Sequence, residues 1–507
     1  MGEGDHVTTT SSAPGENVRR DRAVGAVLAS AAADALGAPH EFGQPLGADV
    51  ALHMTGGGQL GWEPGEWTDD TQTALAILRP LADGMEAHRL LDEVEEDLLA
   101  WMRSTPRDVG GQTRAVLSEA LHSGTPLTEV TSAWQGHHPD SAGNGSLMRT
   151  GPLGLLDLPR DRMAELAGNI SALTHAADDA IEACILWTDA IHRSINAPTT
   201  APNGQDWLDL VADGITLLPS DHRELWWDRL EACAKSNPEA FRPNGWVVSA
   251  LQAALSSLIH TDAPAAQPCR HLRLAIERAV RIGDDSDTVA AITGSLAGAR
   301  WGASAVPLEW RRGLHGRKTY VEPALRGSEL EVLGRLASNH GHNDSIGWPG
   351  IDSLIPYYQS RFPSAPWAVE LDDGFTVGNV HALADQLPLT DVVVSLCRMG
   401  RSDVPDHLEH HVVGLIDTNR ADNPNLEFVL TDTADFVADS VASGKRVLVH
   451  CVMAQNRTPA IAAAYLVRTH GRDPGEALQR ATQAIGSHPQ AFLAEGVMNL
   501  VPREART

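Results

Sequence analysis

The chain has 507 residues, 39 Lys plus Arg against 66 Asp plus Glu, a formal net charge of −27 and 42% hydrophobic residues. An excess of acid on this scale excludes general nucleic-acid binding, which displaces phosphate counterions with basic groups, and electrostatic docking on anionic lipid. At ~150 residues per domain the length suggests roughly three domains, or one large and one smaller.

Residues 1–20 (MGEGDHVTTTSSAPGENVRR) are polar and too poor in apolar side chains to order themselves, so a disordered tail is expected. Arg19, Arg20 and Arg22 then precede the apolar stretch Ala23 to Ala33, which has the outline of a signal peptide. Asp34 and Glu41 follow at once, and an amphipathic helix of the mature fold is the expected reading. From 21 to 315 the sequence is rich in Ala and Leu. Helical runs such as 71–82, 176–195, 247–259 and 288–302 are broken by Gly, Pro and Asn, and alternating strand patterns are nearly absent. An all-α domain is expected. Residues 316–364 read as a polar connector with one helix near 328–338.

From 365 to 507 the pattern changes. Apolar runs at 391–396, 411–416 and 446–449 alternate with helical segments at 430–443 and 459–469. Continuous apolar strands between helices indicate a sheet covered on both faces. The fold class is therefore multidomain, an N-terminal all-α domain followed by a C-terminal α/β domain. No apolar run reaches the ~20 residues that span a bilayer, so no membrane partner is expected. Five scattered cysteines without a CxxC pair exclude a disulfide framework or zinc ribbon and suit a reducing cytoplasm. His407-Leu408-Glu409-His410-His411 reads as a solvated loop, and Trp226-Trp227 as helix packing.

Two acidic segments precede helical runs: Trp67-Thr68-Asp69-Asp70-Thr71 and Gly283-Asp284-Asp285-Ser286-Asp287-Thr288. Either one alone is explained by helix capping. Brought together, their carboxylates would repel unless a cation neutralised them or some took up protons. An all-oxygen set suits Mg²⁺, Mn²⁺ or Ca²⁺ rather than zinc. Five segments in order resemble the ADP-ribosylglycohydrolase family: Asp34-Ala35-Leu36-Gly37 with Glu41 following, Trp67–Thr71, Gly143-Asn144-Gly145-Ser146-Leu147-Met148-Arg149, Thr174-His175-Ala176-Ala177-Asp178, and Asp285-Ser286-Asp287-Thr288 followed by Gly294 and Gly298. Ala33 stands where that family usually has glycine. The resemblance implies two Mg²⁺ or Mn²⁺ ions held by Thr68, Asp69, Asp70, Asp285, Asp287 and Thr288. It puts Glu41 at the substrate, where a carboxylate orients or deprotonates a water or a ribose hydroxyl. Gly143, Asn144, Gly145 and Ser146 would approach an ADP-ribosylated protein, nucleic acid or small molecule. His175 would either contact the ligand or serve as a structural histidine.

His450-Cys451-Val452-Met453-Ala454-Gln455-Asn456-Arg457-Thr458 places C-x5-R between an apolar strand and a helix. Such a loop aims N–H groups and a helix N-terminus at one point, binding phosphate and activating a thiolate. The segment resembles the dual-specificity and tyrosine phosphatases. That implies a phosphorylated substrate, Cys451 as nucleophile, Arg457 as phosphate clamp and Thr458 as a donor to the departing sulfur. The general acid is either Asp417, 34 residues before Cys451, or Asp422, 29 before, with Asp417 preferred because it follows the strand. Ala454 replaces a usual glycine, where a Cβ narrows or strains the loop. The leading expectation is a metal-dependent hydrolase of the C1″ glycosidic bond with a phosphatase domain acting through phosphocysteine. The alternatives are an ADP-ribose and phosphate sensor with an inactive second domain, and a hydrolase of another N-glycosidic substrate.

Overall fold

The computed structural model describes residues 13–503. Its first body is helical: α1 (Glu16–Gly37), α2 (Asp69–Ala82), α3 (Ala87–Arg103), α4 (Gly111–Ser123), α5 (Leu127–His137), α6 (Arg160–Ala172), α7 (Asp178–Asn196), α8 (Gly204–Ala212), α9 (Arg223–Lys235), α10 (Val247–Ile259), α11 (His271–Val280), α12 (Ser286–Trp301), α13 (Leu308–Gly313) and α14 (Gly327–Ala337). A short antiparallel pair, β1 (His315–Gly316) with β2 (Leu325–Arg326), lies between α13 and α14.

Every residue of α12 is buried, and so is α1 from Ala23 to Gly37 apart from Ser30. The expected amphipathic helix is thus a central one. Its apolar stretch has no polar face because helices surround it. The two central helices meet through small residues. A Cβ on Gly298 would lie 2.0 Å from the Gly25 carbonyl oxygen, and one on Gly37 would lie 2.4 Å from Asp287 Cα. Ala33 is accommodated because Gly294 faces it: a Cβ on Gly294 would stand 2.9 Å from that of Ala33. The first helix also begins at Glu16, inside the expected tail, whose residues 1–12 lie outside the described residues.

The second body holds β3 (Ala368–Asp372), β4 (Phe375–Asn379), β5 (Val392–Ser395), β6 (Glu409–Val412) and β7 (Val447–Cys451) in the order β3-β4-β7-β5-β6. Only the β3–β4 hairpin is antiparallel. Its helices are α15 (Ile355–Arg361), α16 (Leu383–Gln386), α17 (Leu426–Ala442), α18 (Arg457–His470), α19 (Pro474–Ile485) and α20 (Ala491–Met498). Val392, Val394, Val447 and Val449 pack with the α17 and α18 side chains on one face, while Val393 and Leu448 pack with Leu354, Tyr358 and Leu383 on the other. Side chains alternate along a strand, so a continuous apolar run needs cover on both faces. The His407–His411 segment is not a solvated loop. His410 and His411 belong to the edge strand β6, and desolvation depresses both imidazoles, His410 to about 3.

The expected connector is divided between the two bodies. In α14, a Cβ on Gly334 would reach 3.3 Å from Val24 Cα in α1, whereas Leu354 and Tyr358 pack under the sheet. The bodies are joined directly. Asn425 Nδ2 donates to the Trp301 carbonyl (2.6 Å) and to Ser304 Oγ (2.9 Å), and Leu308 N donates to Asp432 Oδ2 (2.9 Å). Phe428 enters the first core and Leu308 the second. Among the described residues no helix is long and apolar enough to cross a membrane.

Gly298→Val tests the central crossing. Overpacking typically costs about 1–3 kcal/mol, and here the obstacle is backbone. A fall in the melting temperature of the helical body is expected at or above that range, and an unchanged melt would contradict the packing.

Candidate functional site

The acidic site forms where α1, α2 and α12 converge. Thr68 precedes α2, and Asp285 precedes α12. Capping does not account for the carboxylates. The α2 N-terminus is satisfied by Thr68 Oγ1, which accepts from Asp70 N (3.4 Å), and from a different helix by Asp34, which accepts from Thr68 N (2.9 Å), Thr71 N (3.1 Å) and Thr71 Oγ1 (2.6 Å). Asp285 makes no side-chain cap at all and instead accepts from Asn144 Nδ2 (2.7 Å).

Thr68 Oγ1 and Thr288 Oγ1 both donate to Asp70 Oδ2, at 3.1 and 3.3 Å. The second oxygens, Asp70 Oδ1 and Asp287 Oδ1, are buried without a hydrogen-bond partner. Oxygens of Asp34, Asp70 and Asp287 lie within 4.8 Å of one another, as do those of Glu41, Asp108 and Asp287. Burial, followed by the neighbouring carboxylates, raises Asp69, Asp70 and Asp287 well above the ordinary carboxylate range and pushes Glu41 up to about 10. Burial lifts Asp34 to about 6. These are the energetics of a site that accepts cations. Buried anions otherwise stay in place only by binding protons, and orphaned hard oxygens match a hard divalent ion.

Thr68, Asp69, Asp70, Asp285, Asp287, Thr288 and Glu41 therefore come together. The sequence reading missed two members of the cluster. Asp34 was noticed only as part of a motif, and Asp108 sits in a loop before α4 with no motif around it. Asp284 turns away at φ +56° and pairs with Arg242 through two bonds of 2.8 and 2.5 Å.

The 143–149 loop borders this cluster. Gly143 and Gly145 are partly exposed, and a Cβ on Gly145 would press on the His175 ring at 3.1 Å and on Thr113 Oγ1 at 3.2 Å. Asn144 fixes Asp285 to the loop and also donates to the Asn244 carbonyl (3.2 Å). Two of the expected ligand contacts face inward. Ser146 is fully buried and accepts from Ser171 Oγ (2.9 Å). His175 is buried beneath the glycines with Nδ1 2.8 Å from Thr174 Oγ1, and desolvation holds it neutral, down to about 3. Both support the loop from below. Arg149 does the same, donating to the Gly145 carbonyl (3.1 Å) and Thr174 Oγ1 (2.7 Å).

A family model described as ADP-ribosylglycohydrolase matches residues 15–343, about two thirds of the chain, and takes in α14. The chain belongs to the ADP-ribosylglycohydrolase family. It is 32% identical over 306 residues to the ADP-ribosylarginine hydrolase Tri1 of Pseudomonas putida, covering 57% of this chain and 73% of that one. It is 30% identical over 300 residues to the ADP-ribosyl-[dinitrogen reductase] glycohydrolase of Rhodospirillum rubrum, covering 57% and 89%. The second body is similar to dual specificity protein phosphatase 1 of Arabidopsis thaliana, 28% identical over 113 residues, which span 22% of this chain and 56% of that protein. Human DUSP28 aligns with 26% of the chain at 19% identity and a TM-score of 0.24.

In this second body Cys451 ends β7, buried, and Arg457 opens α18, so the loop runs from strand to helix as expected. Arg457 Nη1 donates to the Leu396 carbonyl, and its Nε lies 3.4 Å from Asp417 Oδ2. Thr458 Oγ1 and Asp417 Oδ1 are buried without partners. Asp422 is occupied elsewhere, accepting from Thr418 and from Asn419 Nδ2 (3.1 Å). Of the two acids, the structure brings Asp417 to Arg457. Ala454 adopts φ +53°, the left-handed region that favours glycine.

Two outcomes follow. Mn²⁺ at 100 times its dissociation constant should stabilise the chain by about 2.7 kcal/mol per site. Asp287→Asn should raise the metal-free melting temperature while shrinking that shift; a metal-free variant that melts lower would contradict the repulsion. Ala454→Gly should stabilise the second body by about 1 kcal/mol, read from its denaturation midpoint.

Proposed function

We propose that the first domain is a metal-dependent ADP-ribosylhydrolase that breaks the C1″ bond between ADP-ribose and an arginine side chain. The observation that carries this reading is the set of buried carboxylates relieved of capping at α2 by Thr68 and Asp34, leaving oxygens of Asp70 and Asp287 without partners. The arginine acceptor is supported by likeness to Tri1. Thr68, Asp69, Asp70, Asp285, Asp287 and Thr288 would hold two Mg²⁺ or Mn²⁺ ions. Such ions, when bound, supply Lewis-acid polarisation of a water and of ribose hydroxyls. Glu41 orients or deprotonates the attacking water. Positive charge developing at C1″ is stabilised by the surrounding carboxylates. Gly143 and Gly145 let the ligand reach the main chain.

For the second domain we infer a phosphatase. Cys451 Sγ attacks phosphorus while the P–O bond to the leaving group breaks. Asp417 gives that oxygen its proton, and Arg457 clamps the phosphoryl oxygens. Water then attacks phosphorus, its proton passing to Asp417, and the S–P bond breaks with a hydrogen bond from Thr458 to the departing sulfur. The left-handed Ala454 favours a second reading, a domain that binds phosphate without turning it over. Five free thiols fit a reducing cytoplasm.

Release of ADP-ribose should be measured from arginine-, serine- and nucleic acid-linked substrates with and without Mg²⁺ or Mn²⁺. Asp70→Asn and Asp287→Asn should each lower the rate by at least about 100-fold; metal-independent release would defeat the proposal. Phosphate release should vanish in Cys451→Ser and fall about 100-fold in Asp417→Asn, with Asp422→Asn near wild type. No release by the wild-type chain would select the binding reading.

A further inference from the structure

Val452 and Arg457 of the 451–458 loop border a cleft between the two domains. Leu415, Asp417, Val452 and Arg457 line this cleft of about 1480 Å³, which the first domain also lines, through Arg311, Arg312 and α14. Most arginines of the cleft are matched. Arg311 pairs with Glu331 (2.6 Å), Arg312 with Glu409 (2.7 Å) and Arg398 with Asp344 (2.6 Å).

Arg335, on α14, is different. It is partly buried, and although its carbonyl accepts from Ser338 Oγ (3.0 Å), its guanidinium makes no hydrogen bond or ion pair among the described residues. Its Cζ stacks 4.3 Å from the centre of the Trp348 ring, and Arg398 Cζ, from the second domain, lies 4.9 Å from the same ring. Desolvation, with Arg398 and Arg20 nearby, lowers its guanidinium to about 10 despite Glu331 and Asp21. A cation removed from water without an acceptor is destabilising unless an anion completes it.

This group is linked to the loop through contiguous contacts. Arg457 is tied to the Leu396 carbonyl, and Arg398 is two residues further along the same segment. Tyr358 Oη donates to the Arg398 carbonyl (2.8 Å) and feels the charge of both Arg457 and Arg398. Trp348 Nε1 donates to the Met399 carbonyl (3.1 Å), which fixes the ring that carries Arg335.

We propose that the cleft is a composite site for a small molecule bearing two phosphate groups. The phosphate to be removed sits in the 451–458 loop, and the second phosphate lies against Arg335 and Arg398. The first domain thereby selects the substrate of the second. A cleft lined by residues of both domains suits a small molecule better than a phosphorylated residue on a protein surface. The inference rests on the phosphatase reading of the second domain, whose own test is release of phosphate from p-nitrophenyl phosphate by the wild-type chain.

The test of the composite site uses binding, so it stands apart from turnover. The full-length Cys451→Ser chain is titrated calorimetrically with adenosine 3′,5′-bisphosphate against adenosine 5′-monophosphate, and with fructose 1,6-bisphosphate against fructose 6-phosphate. At least one bisphosphate should bind at least tenfold more tightly than its monophosphate. Adding Arg335→Met should erase that advantage, and Arg335→Lys should keep part of it. Equal binding within both pairs overturns the proposal even where the Met variant fails to fold. So does an advantage that survives Arg335→Met, or tighter binding of a phosphotyrosine peptide than of either bisphosphate.

Discussion

The site depends on how closely α1 and α12 approach. Glycines at 25, 37, 294 and 298 remove the side chains that would hold the two helices apart, and the backbone of one lies against that of the other. This contact sets Gly37 on Asp287 and carries Asp34, at the end of α1, to the start of α2. Two acidic turns more than 200 residues apart in sequence thereby face one another. Bulk at any of these positions would force the two helices apart, and with them the carboxylates they carry.

Once assembled, the carboxylates form a high-energy arrangement. The helix terminus at α2 does not need them, because Thr68 and Asp34 accept its N–H groups, and Asn144 holds Asp285 in place. Burial and mutual repulsion raise the cost of keeping them ionised. Divalent cations would relieve both. The glycine loop is built on an opposite principle. Its supports, Arg149, His175 and Ser146, are buried and linked through Thr174 and Ser171, and they hold the partly exposed glycines beside the acidic cluster.

The two bodies are not beads on a linker. The segment expected to be a connector is shared, with α14 against α1 and residues 346–362 under the sheet. That division puts first-domain arginines across from the phosphatase-like loop. Against an overall charge of −27, the cleft is close to balanced, with nine arginines beside eight carboxylates in its lining.

The sequence by itself determined the two fold classes, the strand–loop–helix around Cys451, and the metal-type residues at 68–70 and 285–288. Each of these is written in local order: periodicity, apolar runs and short motifs report neighbours along the chain. Only the tertiary structure decided what comes from far apart. It added Asp34 and Asp108 to the acidic cluster, turned Ser146 and His175 inward, brought Asp417 rather than Asp422 to Arg457, and stacked Arg335 and Arg398 on one tryptophan. A carboxylate in an unremarkable loop or an arginine on a helix carries no signal of its partner. Its burial and its charged neighbours exist only once the chain has folded.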